Sequence, residues 1–259
     1  MPNLETKYQH IGILAAIPEE LGSIVDNLKN IQLSKFGDME ITSGEWISKN
    51  GDKIFITTAW SGWGKVSASR ATTRIIQSMY KGKKVDLIVF TGVAGAANTK
   101  LNKWDIVVSD SMMQHDMDAR PIYEKFVIPA LNTKTINPNK ELVELIFNSL
   151  TKDIQNSEIN NFRNVYRGTI ATGDMFISDK KRLDALCNEI PELLAIEMEG
   201  GACAQVAYQE NIDWLVVRVI SDNADDDAEN DFKEFLFQYK KSSWSLILCF
   251  LNALVKLYR

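Results

Sequence analysis

The chain alternates between short runs of β-branched, apolar residues and segments whose apolar positions recur every three or four residues. The first have strand length, and the second have the period of an amphipathic helix. Strands are predicted at 11–17, 39–46, 53–60, 85–90, 104–109, 164–170 and 214–220. Helices are predicted at 19–28, 65–80, 140–150, 180–188, 200–209 and from Asp231 or later to Leu257. Such alternation builds βαβ units around a largely parallel central sheet. The run Trp214-Leu215-Val216-Val217-Arg218-Val219-Ile220 is almost continuously apolar, the pattern of a strand buried on both faces. No repeat, low-complexity stretch or Pro/Gly-rich linker divides the chain. One domain over 1–259 is expected, with 1–9 as a flexible N-terminal extension. Residues 111–138, with Pro121, Pro129 and Pro138, read as a long loop, and such loops tend to be functional or disordered.

Composition narrows the function classes. A chain of 259 residues suits one sizeable α/β core. With 29 basic and 34 acidic side chains, the net charge of −5 argues against nucleic-acid recognition through a basic field. Cys187, Cys203 and Cys249 are far apart and match no CxxC or Cys/His spacing. They imply neither a disulfide framework nor a metal site, and fit reduced thiols in the cytoplasm. The polar first ten residues lack a signal-peptide core, and the apolar stretch 246–255 is too short to span a membrane.

Candidate chemistry concentrates between Leu194 and Ala224. Glu197 and Glu199 alternate with Ile196 and Met198, so both acids share one face of an extended segment. Buried acids are costly unless paired or hydrogen-bonded. The pair therefore implies a ligand, a solvated face or an arginine partner, for which Arg218 is the local candidate. Asp222 follows the 214–220 strand at its carboxyl end, where open α/β sheets bind ligands. An acid there, against apolar walls, is placed to act as a general acid. The turn-like Asp222-Asn223-Ala224-Asp225-Asp226-Asp227 also allows Asp222 to be a helix cap. Glu20, after Pro18-Glu19, equally suits a helix start. Thr91-Gly92-Val93-Ala94-Gly95 reads as a tight turn after a strand or as an anion nest.

Ala195-Ile196-Glu197-Met198-Glu199 followed by Val217-Arg218-Val219-Ile220-Ser221-Asp222 resembles the C-terminal signature of the 5′-methylthioadenosine/S-adenosylhomocysteine nucleosidases, in the nucleoside phosphorylase-like superfamily. Four more segments resemble that family in the same order. They are Ile11 to Glu20, the first strand with its acidic turn, then Ser61-Gly62-Trp63-Gly64-Lys65-Val66, Thr91 to Gly95, and Thr172-Gly173-Asp174-Met175-Phe176-Ile177. Together they span nearly the whole chain.

The resemblance implies a three-layer α/β domain with a mixed, largely parallel twisted sheet flanked by helices. It implies hydrolysis of the N-glycosidic bond of an adenine nucleoside carrying a 5′-thioether. Asp222 would be the general acid at purine N7, steadied by Ser221. Glu20 would hold the nucleophilic water, and Arg218 would orient Glu20 or that water. Glu199 would bind the ribose hydroxyls, with Met198 against the sugar. Phe176 would stack on adenine, and the Ile177 backbone would read its edge. Phe232 would close the site, and Trp63 would lie near the water side of the sugar. Ile17, Val93, Ala94, Gly95 and Ala224 would complete the substrate pocket. No cofactor is implied. Related phosphorylases bind phosphate through arginines in the first acidic turn and in the strand before the glycine turn. Here those positions offer Ile17-Pro18-Glu19-Glu20 and Ile88-Val89-Phe90-Thr91, so water is the expected nucleophile. Val93 stands where the family often has Ser.

His115-Asp116 also matches the family, with His115 read as structural. The segment after it, in a homodimer, would wall the neighbour's alkylthio pocket. In this chain 114–129 brings Met117, Ile122, Tyr123, Phe126 and Ile128 to that task. The rivals left open are a purine nucleoside phosphorylase, a nucleosidase for aminodeoxyfutalosine or AMP, and a non-catalytic nucleoside binder. AMP would need cations, for which Arg120 and Lys125 are the local candidates.

Overall fold

The structure is a computed structural model that describes residues 7–224 and 228–255. In chain order the elements are β1 (His10–Ala15), α1 (Pro18–Leu21), β2 (Lys29–Phe36), β3 (Met39–Ile47), β4 (Lys53–Trp60) and α2 (Lys65–Ile76). There follow β5 (Met79–Tyr80), β6 (Lys83–Lys84), β7 (Leu87–Ala96), β8 (Ile106–Gln114), β9 (Thr135–Ile136) and α3 (Lys140–Gln155). The chain continues through β10 (Val165–Thr172), α4 (Lys180–Glu189), β11 (Leu193–Glu197), α5 (Gly200–Gln209), β12 (Asp213–Asp222) and α6 (Ala228–Leu254).

One mixed sheet runs β11-β10-β8-β12-β7-β1-β4-β3-β2, with β9 added on β8. Its centre is parallel: β1 pairs in parallel with β4 and β7, and β7 with β12. β7 also meets β11 antiparallel through Gly95 and Ala96, so β7, β12, β8, β10 and β11 close into a ring. β1, β7 and β12 are buried almost throughout, and their side chains alternate between two cores. Ile11, Ile13, Val89, Leu215 and Val217 pack toward α3 and α6. Leu14, Ile88, Phe90, Trp214 and Val216 pack toward α2 and α5. This is the three-layer arrangement expected, and the two-faced burial of the 214–220 strand accounts for its unbroken apolar run.

Several expectations are corrected. The helix over 19–28 is a single turn, α1, followed by a 3₁₀ turn at Val25–Asn27. Gly22 ends α1 at φ 54°, where any Cβ would fall against Ser243 and 2.9 Å from the Lys240 carbonyl of α6. β2 was not anticipated, because it is exposed nearly throughout and carries no buried alternation. Residues 77–80 leave α2 and enter β5. Thr91 to Gly95 is neither a turn nor a nest but the second half of β7. α6 begins at Ala228, before Asp231, and its expected reach to Leu257 passes outside the described residues, as do acidic-turn residues 225–227. Of the expected N-terminal extension, residues 1–6 lie outside the described residues. Residues 7–9 belong to the body: Tyr8 is buried, its hydroxyl donates to Asp213 at 2.6 Å, and the Gln9 N–H donates to Asp86 at 2.8 Å. Among the described residues, no helix is long and apolar enough to cross a membrane.

Gly12 tests the contact between β1 and α2. A Cβ there would come within 2.6 Å of the Ile88 side chain and would meet Ile75 of α2 closer still. Gly12→Ala is expected to destabilise the fold by about 1–3 kcal/mol, the cost of overpacking a dense core. Thermal unfolding reads this directly, and an unchanged midpoint would mean that α2 retreats freely.

Candidate active site

The carboxyl ends of the parallel strands β1, β7 and β12 converge, together with the end of β11, which meets β7 antiparallel, on one crevice of about 590 Å³. From β1 and α1 come Ala16, Ile17 and Glu20; from β7 come Val93, Ala94 and Gly95. The turn after β10 supplies Met175, Phe176 and Ile177, and β11 with the residues after it supplies Ile196, Glu197, Met198 and Glu199. Ser221 and Asp222 end β12, Ala224 follows, Phe232 comes from α6, and Trp63 comes from the loop before α2.

Glu20 is buried, and both its oxygens are engaged. Oε1 accepts the Val93 N–H at 2.8 Å, and Oε2 accepts those of Ala16 at 2.8 Å and Ile17 at 3.1 Å. It therefore closes the start of α1, as its sequence context suggested, while lining the crevice. Burial pushes its pKa up against the opposing pull of Arg218 and these three amides. The Val93 backbone, rather than a side-chain hydroxyl, meets the acid, so Val is accommodated where a Ser is frequent.

Asp222 is also buried. It accepts the Ser221 hydroxyl at 2.7 Å and the Ala224 N–H at 2.8 Å, a local turn that fixes the carboxyl at the strand end. The capping of α6 by Asp222 that the sequence also allowed turns on residues 225–227, which lie outside the described residues.

The Glu197/Glu199 pair divides its work. Glu197 pairs with Arg218, accepts from the Thr172 hydroxyl, and takes the N–H groups of Glu199 at 3.1 Å and Gly200 at 2.6 Å. Glu199 accepts the Gly64 N–H at 2.8 Å and lies 3.6 Å from Arg218. Burial, with Glu197 beside it, raises the Glu199 pKa to about 8. Arg218 is 0% exposed and is not part of the crevice wall. It lies behind it, donating to the Thr91 carbonyl at 3.2 Å with its guanidinium over the Phe90 ring. Arg218 and Glu20 meet at Gly92, where a Cβ would strike both. At φ 150° this strand position also favours glycine.

Three rings frame the mouth. Phe232 stands edge-on to both Trp63 and Phe176, with centroids 6.1 and 5.9 Å away. Ala16, Met175, Ile196 and Glu197 line the crevice without having been assigned to the pocket from sequence. Met175 carried a usable signal, as the neighbour of Phe176 in Gly173-Asp174-Met175-Phe176. His115 lies outside the crevice. Its N–H donates to Thr172 at 2.9 Å, its ring covers Gly173, and burial lowers its pKa. In the 114–129 segment, Phe126 and Ile128 are buried in this chain's own core and are not free to wrap a neighbour. Ile122 and Tyr123 are exposed. Arg120 and Lys125 are engaged by Asp118 and Glu189. Among the described residues, no cluster of His, Cys, Asp and Glu is arranged to hold a metal ion.

This fold and site define the class: residues 10–252 match the phosphorylase superfamily. The chain is 33% identical over 239 residues to a 5′-methylthioadenosine/S-adenosylhomocysteine nucleosidase of Bacillus licheniformis, covering 92% of this chain and 96% of that protein. The solved structure of the S. pneumoniae nucleosidase of the same name, with the transition-state inhibitor MT-ImmA, superposes with a TM-score of 0.82 at 32% identity, covering 95% of this chain and 100% of that one. A native futalosine hydrolase structure from Helicobacter pylori superposes with a TM-score of 0.78 at 30% identity, covering 96% and 97%. The chain belongs to the 5′-methylthioadenosine/S-adenosylhomocysteine nucleosidase family, whose members are N-glycosidic hydrolases.

The raised pKa of Glu199 has a consequence for stability. Between its ordinary 4.5 and about 8, the folded chain holds a proton there that the unfolded chain releases. This contribution to stability is complete below pH 4.5 and is lost as the pH rises toward 8. Glu199→Gln is expected to flatten that fall in denaturant unfolding across the same range. An undiminished fall would assign it to other groups.

Proposed function

We propose that this protein hydrolyses the N-glycosidic bond of 5′-methylthioadenosine and S-adenosylhomocysteine, releasing adenine and the corresponding 5-thioribose. Asp222 donates a proton to N7 of the leaving adenine, and the C1′–N9 electron pair goes to the base. Positive charge develops on the sugar, as in glycoside hydrolysis generally. Water held by Glu20 attacks C1′ and gives Glu20 its proton. Glu199 accepts from the ribose hydroxyls, and Met198 packs on the sugar. Phe176 stacks on the purine, the Ile177 backbone reads its edge, and Trp63 and Phe232 close the mouth. Ser221 steadies Asp222, and Arg218 acts from behind the wall on the charge of Glu20.

The observation that carries this reading is the make-up of the crevice wall. Of the four acids that line it, Glu20 and Asp222 lie in different environments, as separate donor and acceptor roles require. Its described lining includes no Lys or Arg to receive a phosphate dianion. A glutamate at that position would repel the dianion, which favours water over phosphate as nucleophile. The likeness to futalosine hydrolase supports a second reading, in which another adenine nucleoside is the substrate of the same machinery. Chromatography of adenine released from methylthioadenosine, with and without phosphate, decides between these. Equal release in both, lost in Asp222→Asn and in Glu20→Gln, is expected. Release only with phosphate would mean a phosphorylase, and near wild-type turnover in Asp222→Asn would remove the acid role.

Two further parts of the proposal concern setting. We set the reaction in the cytoplasm, on the support of the reduced thiols of Cys187 and Cys203. The chain is proposed to act as one domain and to form a homodimer in which 114–129 reaches the neighbour's pocket, on the support of the exposed Ile122, Tyr123 and Trp63. Light scattering is expected to give twice the chain mass, and a concentration-independent monomer would sink the dimer.

A further inference from the structure

α2 has no cap of its own. Its N-cap residue is Gly64, at φ 89°, with no side chain to receive the helix's first N–H groups. Two acids from remote segments take them instead. Glu199 accepts the Gly64 N–H at 2.8 Å, and Asp174 accepts the Lys65 N–H at 2.7 Å. The Asp174 carboxyl also sits at the favourable end of the helix dipole for an acid. Asp174 lies so close over Gly64 that a Cβ there would be 2.9 Å from its oxygen.

The Asp174 contact belongs to a closed cycle. The Asp174 N–H donates to Asp116 at 2.9 Å, and the Lys65 ammonium returns to the same Asp116 at 2.6 Å. Lys65 also reaches Gln114 at 3.3 Å. Three segments distant in sequence are thereby joined: the loop carrying Trp63, the turn carrying Met175 and Phe176, and the start of the 114–129 segment. Trp63 is 54% exposed and Phe176 39% exposed, so core packing does little to hold either ring in place. Their separation across the mouth is set by the backbones that carry them, and Asp174 bonds one of those backbones to the other. Glu199 binds the same loop, but its carboxylate is also the proposed ribose acceptor. Asp174 is absent from the crevice wall, so no ligand contact competes with its bond to Lys65.

We propose that Asp174 is a positioning residue that fixes the aperture between Trp63 and Phe176 and so sets nucleoside affinity rather than turnover. This rests on the nucleosidase function proposed above. An N–H donating to a carboxylate is among the stronger hydrogen bonds of a protein, and an asparagine oxygen preserves the acceptor. In steady-state kinetics on methylthioadenosine, Asp174→Ala is expected to raise KM about 10-fold with kcat within about 3-fold, while Asp174→Asn restores KM. A readout independent of any substrate is acrylamide quenching of Trp63, taken as the difference between chains with and without Trp63→Phe. Quenching is expected to rise in Asp174→Ala and return in Asp174→Asn. Unchanged KM and quenching would overturn the clasp. So would an equal loss of kcat and thermal stability that Asp174→Asn does not repair. Absence of adenine release by the wild-type chain would refute the nucleosidase reading alone, and Trp63 quenching would still decide the clasp.

Discussion

A guanidinium with no solvent contact can exist inside a protein only where acids are gathered around it, and Arg218 imposes that condition on the centre of this fold. It extends from β12, pairs with Glu197 on β11, reaches Glu199 beyond it, and donates to the Thr91 carbonyl on β7. Burial pulls its pKa down, and Glu197, Glu199 and Glu20 together outweigh that pull. The dependence is mutual. Removing one member of a buried ion pair strands the other, at a cost of about 3–5 kcal/mol. Without Arg218, three acids at the head of the sheet would lose their common counter-charge.

Around that centre, each acid is fastened to the backbone of a neighbouring segment. Glu20 takes the Val93 amide of β7, Glu197 takes the amides that open α5, Glu199 takes that of Gly64, and Asp174 takes that of Lys65. A carboxylate that accepts several N–H groups keeps its geometry without a salt bridge of its own. The parallel strands bring these acids to one end of the sheet, and the amide bonds hold them there. The shape of the crevice and the closure of the fold are thus carried by the same contacts, as Glu20 illustrates by serving both the start of α1 and the crevice wall.

Much of this was legible in the chain because burial writes itself as pattern. The 200–209 helix and the 214–220 strand were bounded by abrupt changes in apolar period, and the cost of burying acids made Arg218 one of three candidate answers to the Glu197/Glu199 pair, the one the fold uses for Glu197. β2 was illegible because it is exposed and paired on one side only by β3, so no buried face marks it. Thr91 to Gly95 misled because its glycines answer to neighbours and not to a turn: at Gly92 the space is already occupied by Arg218 and Glu20. The length of α1 was likewise decided elsewhere, by the approach of α6 to Gly22. Phe126 and Ile128 were apolar for the sake of their own core. Local pattern reports whether a residue is buried, but not by which partner.

The aromatic mouth carries a thermodynamic consequence. Trp63, Phe176 and Met175 each leave more than a third of their surface in water. A planar base and a thioalkyl group seated among them would dry that surface at one step, and drying apolar surface lowers heat capacity. Association at this site would thus become progressively more exothermic on warming, a calorimetric mark of rings held ready in solvent rather than stored in the core.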